Sequence, residues 1–160
     1  MDARTARIVI ASTRAAAGVY ADRTGPLIHD WLTERGFDVP APIVVPDGEP
    51  VGDELRRAVA DGVAVVLTSG GTGISPTDAT PEQTERVLDR QIPGLADAIR
   101  RAGLPAVPTA VLSRGICGVA GRTLILNLPG STGGVRDGLG VLADVLDHAL
   151  DQLGGKDHAG

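Results

Sequence analysis

The sequence predicts a three-layer α/β/α fold, in which helices cover both faces of a mostly parallel sheet that ends in a C-terminal antiparallel hairpin. Short apolar runs alternate with segments of helical spacing, which is typical of a doubly wound sheet. The chain has 22 glycines and only three aromatic residues, so its core must be aliphatic, as in parallel sheets covered by helices. A length of 160 residues suits a single domain, and we assign residues 1–160 to one.

The first half of the chain alternates strands and helices with short connections. The predicted elements are a strand at 7–12, a loop at 13–25, a helix at 26–35, a strand at 38–45, a helix at 53–60 and a strand at 63–67. The first helix places Ile28 and Leu32 on one face, and Gly36 is suited to its C-terminal end. Pro40 and Pro42 cannot donate backbone hydrogen bonds, so we expect the second strand at a sheet edge.

The second half is expected to close the sheet with a hairpin. The predicted elements are helices at 81–89 and 93–102, strands at 110–119 and 122–128, and a last helix at 134–153. The two strands are joined only by Ala120 and Gly121, which favours an antiparallel pairing over a crossover. Residues 154–160 are predicted to be a disordered tail.

Charge and composition exclude several classes of partner. The net charge of −5, with no basic stripe and few aromatics, argues against nucleic acid and anionic membranes. No signal-type apolar run follows Met1, and no stretch approaches the roughly 20 residues that span a bilayer. The single cysteine, Cys117, cannot form an internal disulfide and is expected to be a small buried apolar residue. We therefore predict a cytoplasmic protein.

A loop rich in glycines and hydroxyls follows the strand at 63–67. The sequence from Thr68 to Gly73 is TSGGTG, followed by Ser75, Asp78 and the helix start Thr80-Pro81-Glu82. Glycines allow positive φ and let backbone N–H groups approach a ligand, and a helix N-terminus favours an anion. The pattern predicts a phosphate or nucleotide site with a metal ion, whereas the alternative is an ordinary strand-to-helix turn.

Asp47 supplies a second carboxylate at the end of another strand. Paired with Asp78, it would form a site of the oxygen ligands that Mg²⁺ prefers when it bridges phosphates. The alternative for Asp47 is an Asx turn or a helix cap. The loop at 13–25 also follows a strand end, and its hydroxyls and Asp22 either contribute to a ligand site or only cap the next helix.

Further candidates lie between residues 113 and 131. Arg114, next to Ser113, has the planar fork that binds phosphate, and Asn127 offers both a donor and an acceptor to a polar heterocycle. The sequence Pro129-Gly130-Ser131 opens the last helix and makes its N-terminus available to an anion. The alternatives are a solvated edge and turn chemistry. Two of the three histidines, His29 and His148, lack partners at metal-ligand spacing and are expected to have surface or capping roles.

The stretch TSGGTGISPTDATPE resembles the signature of the Mog/MoaB family of molybdenum-cofactor biosynthesis proteins, and the resemblance extends over about residues 7–153. It implies that Asp47 and Asp78 belong to the catalytic centre. It also implies that molybdopterin binds beside Ser113, Arg114, Asn127, Pro129, Gly130 and Ser131. In the first loop, Thr13 stands where an Asp is common in the family.

The resemblance predicts an enzyme that adenylylates molybdopterin with ATP and Mg²⁺ and releases pyrophosphate. We assign nucleotide and phosphate binding to the loop and the helix start, namely Ser69, Gly70, Gly71, Thr72, Gly73, Ser75, Thr80 and Glu82. Asp47 and Asp78 are assigned to the metal. A homotrimer or homohexamer is expected, with a possible molybdenum-insertion protein downstream. The alternatives are a non-catalytic molybdopterin-binding or delivery protein of the same fold, and an interaction subunit.

Overall fold

A computed structural model describes residues 4–19 and 21–155. Its strands are β1 (Ala6–Ala11), β2 (Ile43–Val45), β3 (Val65–Ser69), β4 (Arg90–Gln91), β5 (Cys117–Ala120) and β6 (Thr123–Leu128). Its helices are α1 (Thr13–Ala16), α2 (Thr24–Glu34), α3 (Glu49–Ala60), α4 (Thr80–Glu85), α5 (Pro93–Ala102), α6 (Thr132–Ala143) and α7 (Leu146–Leu153), with a 3-10 helix at Pro108–Leu112.

The strands form one mixed sheet in the order β2-β1-β3-β6-β5-β4. Neighbours among β2, β1, β3 and β6 are parallel, whereas β5 runs antiparallel to both β6 and β4. The predicted three-layer fold with a C-terminal antiparallel hairpin is confirmed. The short strand β4 was not predicted, because Pro93 and Gly94 directly after it indicated only a break between two helices.

Two predicted strands are shorter than expected. In the segment 38–45 only Ile43–Val45 is a strand, and Asp38 forms an isolated bridge with Thr5. Pro40 and Pro42 have no N–H to extend the pairing, and β2 does lie at the sheet edge. In the segment 110–119 only Cys117–Ala120 is a strand. Val111 and Leu112 are exposed in the 3-10 helix, so this apolar run lies on the surface rather than in the sheet.

The helices also differ from the prediction in their boundaries. The loop at 13–25 contains α1, α3 begins at Glu49, and α4 is shorter than the predicted 81–89. The predicted last helix is interrupted at Asp144 and Val145, whose N–H groups bond back only three residues, to Val141 and Leu142. Of the predicted tail, Gly154 and Gly155 form the turn after α7, and 156–160 lie outside the described residues.

Aliphatic cores fill both faces of the sheet. One contains Ile8, Leu67 and Leu126 with residues of α2, α5, α6 and α7, and Cys117 is buried in it as predicted. The other contains Val9, Val66 and Ile125 with residues of α3. The alternation along each strand sends successive side chains to opposite faces. Within the described ranges, no helix is long and apolar enough to span a bilayer.

The candidate site lies where four parallel strands end together. The carboxyl ends of β1, β2, β3 and β6 lead into residues 12, 46, 70 and 129, so these connections share one edge of the sheet. The chain passes from β1 outward to β2 and returns to the other side as β3. This reversal makes the β1–β3 junction a topological switch point, the usual ligand position in an open α/β sheet.

Candidate functional site

In the loop at 70–73, hereafter the glycine loop, Gly70 and Gly71 approach their neighbours too closely for any side chain at these two positions. Gly70 and Gly71 have φ values of 93° and 67°, which L-residues rarely adopt. A Cβ on Gly70 would overlap the Ala11 carbonyl oxygen. A Cβ on Gly71 would overlap the Thr80 hydroxyl and lie 3.0 Å from Asp47 Oδ1. The loop therefore needs glycine for both its conformation and its packing against the end of β1.

Asp47 and Asp78 stand against this loop and line the same pocket. Asp47 Oδ2 accepts a hydrogen bond from Thr13 Oγ1 at 3.1 Å, and its own N–H donates to that hydroxyl. Asp78 Oδ2 accepts from the Ser75 N–H at 3.1 Å. Where an Asp at position 13 would add negative charge beside Asp47, Thr13 supplies a hydroxyl donor. The structure thus places the two predicted carboxylates in the lining of one pocket.

Two pockets flank the glycine loop. The first has a volume of about 670 Å³ and is called the polar pocket. It is lined by residues at or after the ends of β1, β2, β3 and β6, namely Ile10, Ala11, Ser12, Thr13, Arg14, Ala15, Asp22, Arg23, Thr24, Asp47, Ser69, Gly70, Gly71, Thr77, Asp78, Gly130, Ser131 and Thr132. The second, of about 600 Å³, is called the apolar pocket. Its own lining includes Ile74, Ile99, Arg100, Val107, Leu112 and Ser113. The pockets share Gly70, Gly71, Asp78, Gly130 and Ser131.

Arg114 does not have the position predicted for an anion clamp. All three of its guanidinium nitrogens donate to the protein: Nε to the Gly73 carbonyl at 2.8 Å, Nη2 to the Asp78 carbonyl at 3.0 Å and Nη1 to Glu82 at 2.6 Å. Arg114 lines neither pocket. Its hydrogen bond with Glu82 raises the pKa of Arg114 and lowers the pKa of the Glu82 carboxyl. Arg114 therefore ties the segment 73–78 to α4.

Asn127 also has its polar atoms inside the protein. It is buried on β6, where its amide nitrogen donates to the hydroxyls of Thr68 and Thr84, both at 3.0 Å. Its Oδ1 accepts from the Ile116 N–H at 3.1 Å. The Asn127 side chain lies within the sheet and forms its hydrogen bonds there. The sequence had led us to expect this side chain to face a bound heterocycle. It fixes the position of β3 and α4 relative to β6.

The remaining predicted residues divide between pocket walls and supports. Ser69 is buried, donates to the Pro129 carbonyl at 2.7 Å and shares a hydrogen bond with Thr24. Ser131 caps α6 by accepting from the Gly134 N–H. Thr80 lies within α4 and does not make the predicted N-cap bond. Thr72, Gly73, Ser113, Pro129 and Gly130 line the apolar pocket, whereas Ser75 and Glu82 line neither pocket.

Sequence reasoning missed Arg14, Arg23 and the apolar residues Val107 and Leu112. The two arginines belong to the connection after β1, and their position after a strand end was a signal that could have been used. The apolar pair had no such signal, since Leu112 belongs to a run that the pattern assigned to a strand and Val107 to the connection before that run. Conversely, Asp22 serves as a cap, because its Oδ1 accepts from the N–H groups of Thr24 and Gly25.

The donor groups at the loop fit a magnesium ion that is held partly by phosphate. Among the described residues, no three His, Cys, Asp or Glu side chains are grouped as a complete metal site. Mg²⁺ needs no such cage, because it usually binds one or two carboxylates, several waters and substrate phosphates. Asp47 provides a carboxylate beside the close approach of Gly71. The neighbouring Thr80 hydroxyl is buried and is the one buried side-chain polar atom in the described ranges without a hydrogen-bond partner.

His29, His148 and Cys117 lie outside both pockets. His29 contacts the Val39 carbonyl with Nε2 at 3.2 Å, which ties α2 to the segment before β2. Burial raises the pKa of the Cys117 thiol to about 12, so the thiol stays neutral at physiological pH. These residues have structural roles.

A doubly wound sheet with a glycine loop and carboxylates at its switch point defines a class of phosphate- and nucleotide-binding α/β proteins. The sequence model of one family, described as "Probable molybdopterin binding domain", matches residues 7–148. The Mog protein from Mycobacterium ulcerans is 65% identical, with a TM-score of 0.93 over 98% of this chain and 100% of that one. The chain belongs to the Mog/MoaB family of molybdenum cofactor biosynthesis proteins.

Curated relatives include enzymes. The molybdopterin adenylyltransferase of Haemophilus influenzae is 39% identical over 82% of this chain and 69% of its own length. A molybdenum cofactor biosynthesis bifunctional protein from Synechococcus elongatus is 36% identical over 96% of this chain and 48% of its own length. The chain therefore spans about half the length of the bifunctional relatives it matches.

Proposed function

We propose that this protein transfers the adenylyl group of ATP to the phosphate of molybdopterin and releases pyrophosphate. The observation that carries the proposal is the shared wall, because the glycine loop and Asp78 border both pockets. Arg14, Arg23 and Asp47 line only the first pocket, whereas the lining of the second is more apolar, although it includes Arg100 and Asp137. A triphosphate with its metal matches the first, and a pterin ring matches the second. The adenylyltransferase names of relatives at 36–39% identity support this reading.

In this reaction an oxygen of the molybdopterin phosphate bonds to the α-phosphorus of ATP. The bond from that phosphorus to the bridging oxygen breaks, and both electrons leave with pyrophosphate. Mg²⁺ bound to Asp47 and Asp78 would supply charge neutralisation for the phosphates. The Gly70 N–H already donates to the Leu128 carbonyl, so the backbone of Gly71 would bring an N–H group to the same place. The task of the chain is then to position two anions.

The reaction fits a cytoplasmic setting and an assembly of several copies. The single buried Cys117 is consistent with a reducing compartment. Relatives that carry this domain in a chain of twice the length are called bifunctional, which supports a second activity acting on the product. A downstream molybdenum-insertion protein and a homotrimer or homohexamer remain our predictions.

Replacement of Asp78 with asparagine tests the proposal directly. Asp78→Asn keeps the shape but removes the charge beside the glycine loop, and turnover should fall at least about 100-fold with thermal stability nearly unchanged. Asp47→Asn should act similarly. The matched control is Asp144→Asn, which makes the same chemical change at an exposed helix end. Pyrophosphate release is measured with purified protein, ATP, Mg²⁺ and molybdopterin, and equal turnover in Asp78→Asn and the unmodified protein would contradict the assignment.

The second candidate is a non-catalytic molybdopterin-binding protein. The hydrogen bonds between Thr13 and Asp47 favour it, because they engage one of the two proposed metal ligands. The same assay separates the candidates. Tight molybdopterin binding without pyrophosphate release would support the binding protein, whereas turnover would exclude it. Thr13→Asp adds a carboxylate at this place, and a large gain in turnover would show that Thr13 limits catalysis.

A further inference from the structure

The proposed reaction requires positive charge in the polar pocket. Three carboxylates, those of Asp22, Asp47 and Asp78, line this pocket, which is proposed to receive a triphosphate. A divalent cation compensates only part of the charge of such a ligand, so cationic side chains must also face it.

The arginines nearest the glycine loop are already engaged. Arg114 uses Nε, Nη1 and Nη2 within the protein and lines neither pocket. Arg100 lines the apolar pocket, but its guanidinium donates to the carbonyls of Ser113 and Gly115 and to Asp97. Neither is available to bind phosphate without giving up bonds that hold the fold.

Arg14 and Arg23 remain. They are the two basic residues that line the polar pocket, and both are exposed. The Arg14 carbonyl accepts from the Val19 N–H, but neither guanidinium forms a hydrogen bond or ion pair with a described residue. Their guanidinium donors are therefore free to bind a ligand, and Arg is suited to bidentate phosphate contacts.

Capping hydrogen bonds hold the backbone near Arg14 and Arg23 in place. Ser12 caps α1 by accepting from the Ala15 N–H at 3.2 Å, which holds the turn that bears Arg14. Asp22 accepts from the N–H groups of Thr24 and Gly25, which holds Arg23 at the start of the 11-residue helix α2. The N-terminal end of α2 adds its partial positive charge at the same wall.

We propose that Arg14 and Arg23 bind the polyphosphate tail of the nucleoside triphosphate in the polar pocket, which they line together with the carboxylates. This inference rests on the proposed function and adds the residues that recognise the leaving pyrophosphate. The two arginines therefore favour a triphosphate over a monophosphate, while the recognition of the pterin is left to the apolar pocket.

The test compares ATP, inorganic pyrophosphate and AMP as ligands in the presence of Mg²⁺. Arg14→Gln and Arg23→Gln should each weaken binding of ATP and pyrophosphate about tenfold, and the double variant more, because each loses a charge-assisted contact. Affinities for AMP and for molybdopterin should change less than about threefold. The matched control is Arg122→Gln, an exposed arginine at the turn before β6 that lines neither pocket.

The possible outcomes separate this inference from the proposed function. If the unmodified protein releases pyrophosphate and both variants bind ATP normally, the arginines are surface residues and only this inference is overturned. An equal loss of ATP and AMP affinity would assign them a role in shaping the pocket instead. If the unmodified protein binds neither ATP nor pyrophosphate, both proposals fail. Thermal denaturation of each variant establishes that a loss of binding is not a loss of folding.

Discussion

The polar and the apolar pocket lie on opposite sides of the glycine loop, and their outer walls come from different parts of the chain. The wall of the polar pocket consists largely of residues that follow β1 and β2, such as Thr13, Arg23 and Asp47. The wall of the apolar pocket comes from α5 and the irregular segment after it, including Val107 and Leu112. The polar pocket is thus formed largely by the ends of parallel strands. The apolar pocket is formed largely by α5 and the irregular surface segment between α5 and β5.

Under the proposed function, this difference would allow one fold to bind two kinds of ligand in separate places. Strand ends at a switch point bring charged and polar groups together because the sheet topology fixes their positions. The irregular segment between α5 and β5 adds exposed apolar side chains, and Val107 and Leu112 are each 48% exposed. A bound ring system would cover these side chains. The glycine loop joins the two, since both pockets include Gly70, Gly71 and Asp78.

Changing the shared wall should have the largest effect. Gly71→Ala places a methyl group against the Thr80 hydroxyl and Asp47 in a backbone conformation with positive φ. We expect a loss of stability of about 3 kcal/mol from strain and overlap together, with loss of binding in both pockets. Urea unfolding and ligand titrations measure this. Gly140→Ala is the matched control, because nothing lies within 4 Å of its Cβ and it should be neutral or stabilising by up to about 1 kcal/mol.

Removing the Arg114 side chain should affect the two pockets alike. Sequence alone predicts that Arg114→Ala weakens molybdopterin binding more than ATP binding. The structure leads to a different expectation, because Arg114 holds Gly73, Asp78 and Glu82 together behind the loop. Both affinities should fall about tenfold, consistent with the loss of charge-assisted hydrogen bonds that position the site. Calorimetric titration with each ligand measures the two affinities. A loss confined to molybdopterin would instead support a direct contact between Arg114 and molybdopterin.

A change in the apolar pocket should have the smallest and most selective effect. Leu112→Ser removes exposed apolar surface from one wall of this pocket. Molybdopterin affinity should fall about threefold to tenfold, as expected for loss of part of a leucine's buried area, while ATP affinity stays the same. Val145→Ser serves as a control, since Val145 is 40% exposed and lines neither pocket. Equal changes in both affinities would contradict the division of ligands between the pockets.

The structure places some predicted site residues at the pockets and engages others in bonds within the protein, while their roles stay predictions. The chemistry of Asp47, Asp78 and the glycines followed from their positions after apolar strands, and the structure places them at one wall. Arg114 and Asn127 were chosen for what their side chains can bind. Hydrogen-bonding capacity does not reveal whether the partner is a ligand or the protein itself, and here the partners are internal.

The sequence by itself determined the order of most strands and helices, the mostly parallel sheet and the turn that needs glycine at positions 70 and 71. Those properties depend on local periodicity and on backbone sterics, which act between residues close in the chain. The tertiary structure decided which polar groups are free. Arg14 and Arg23 face the polar pocket unpaired by any described residue, while Arg114 is held by carbonyls 41 and 36 positions away. Such pairings form only when distant segments pack, so no local pattern specifies them.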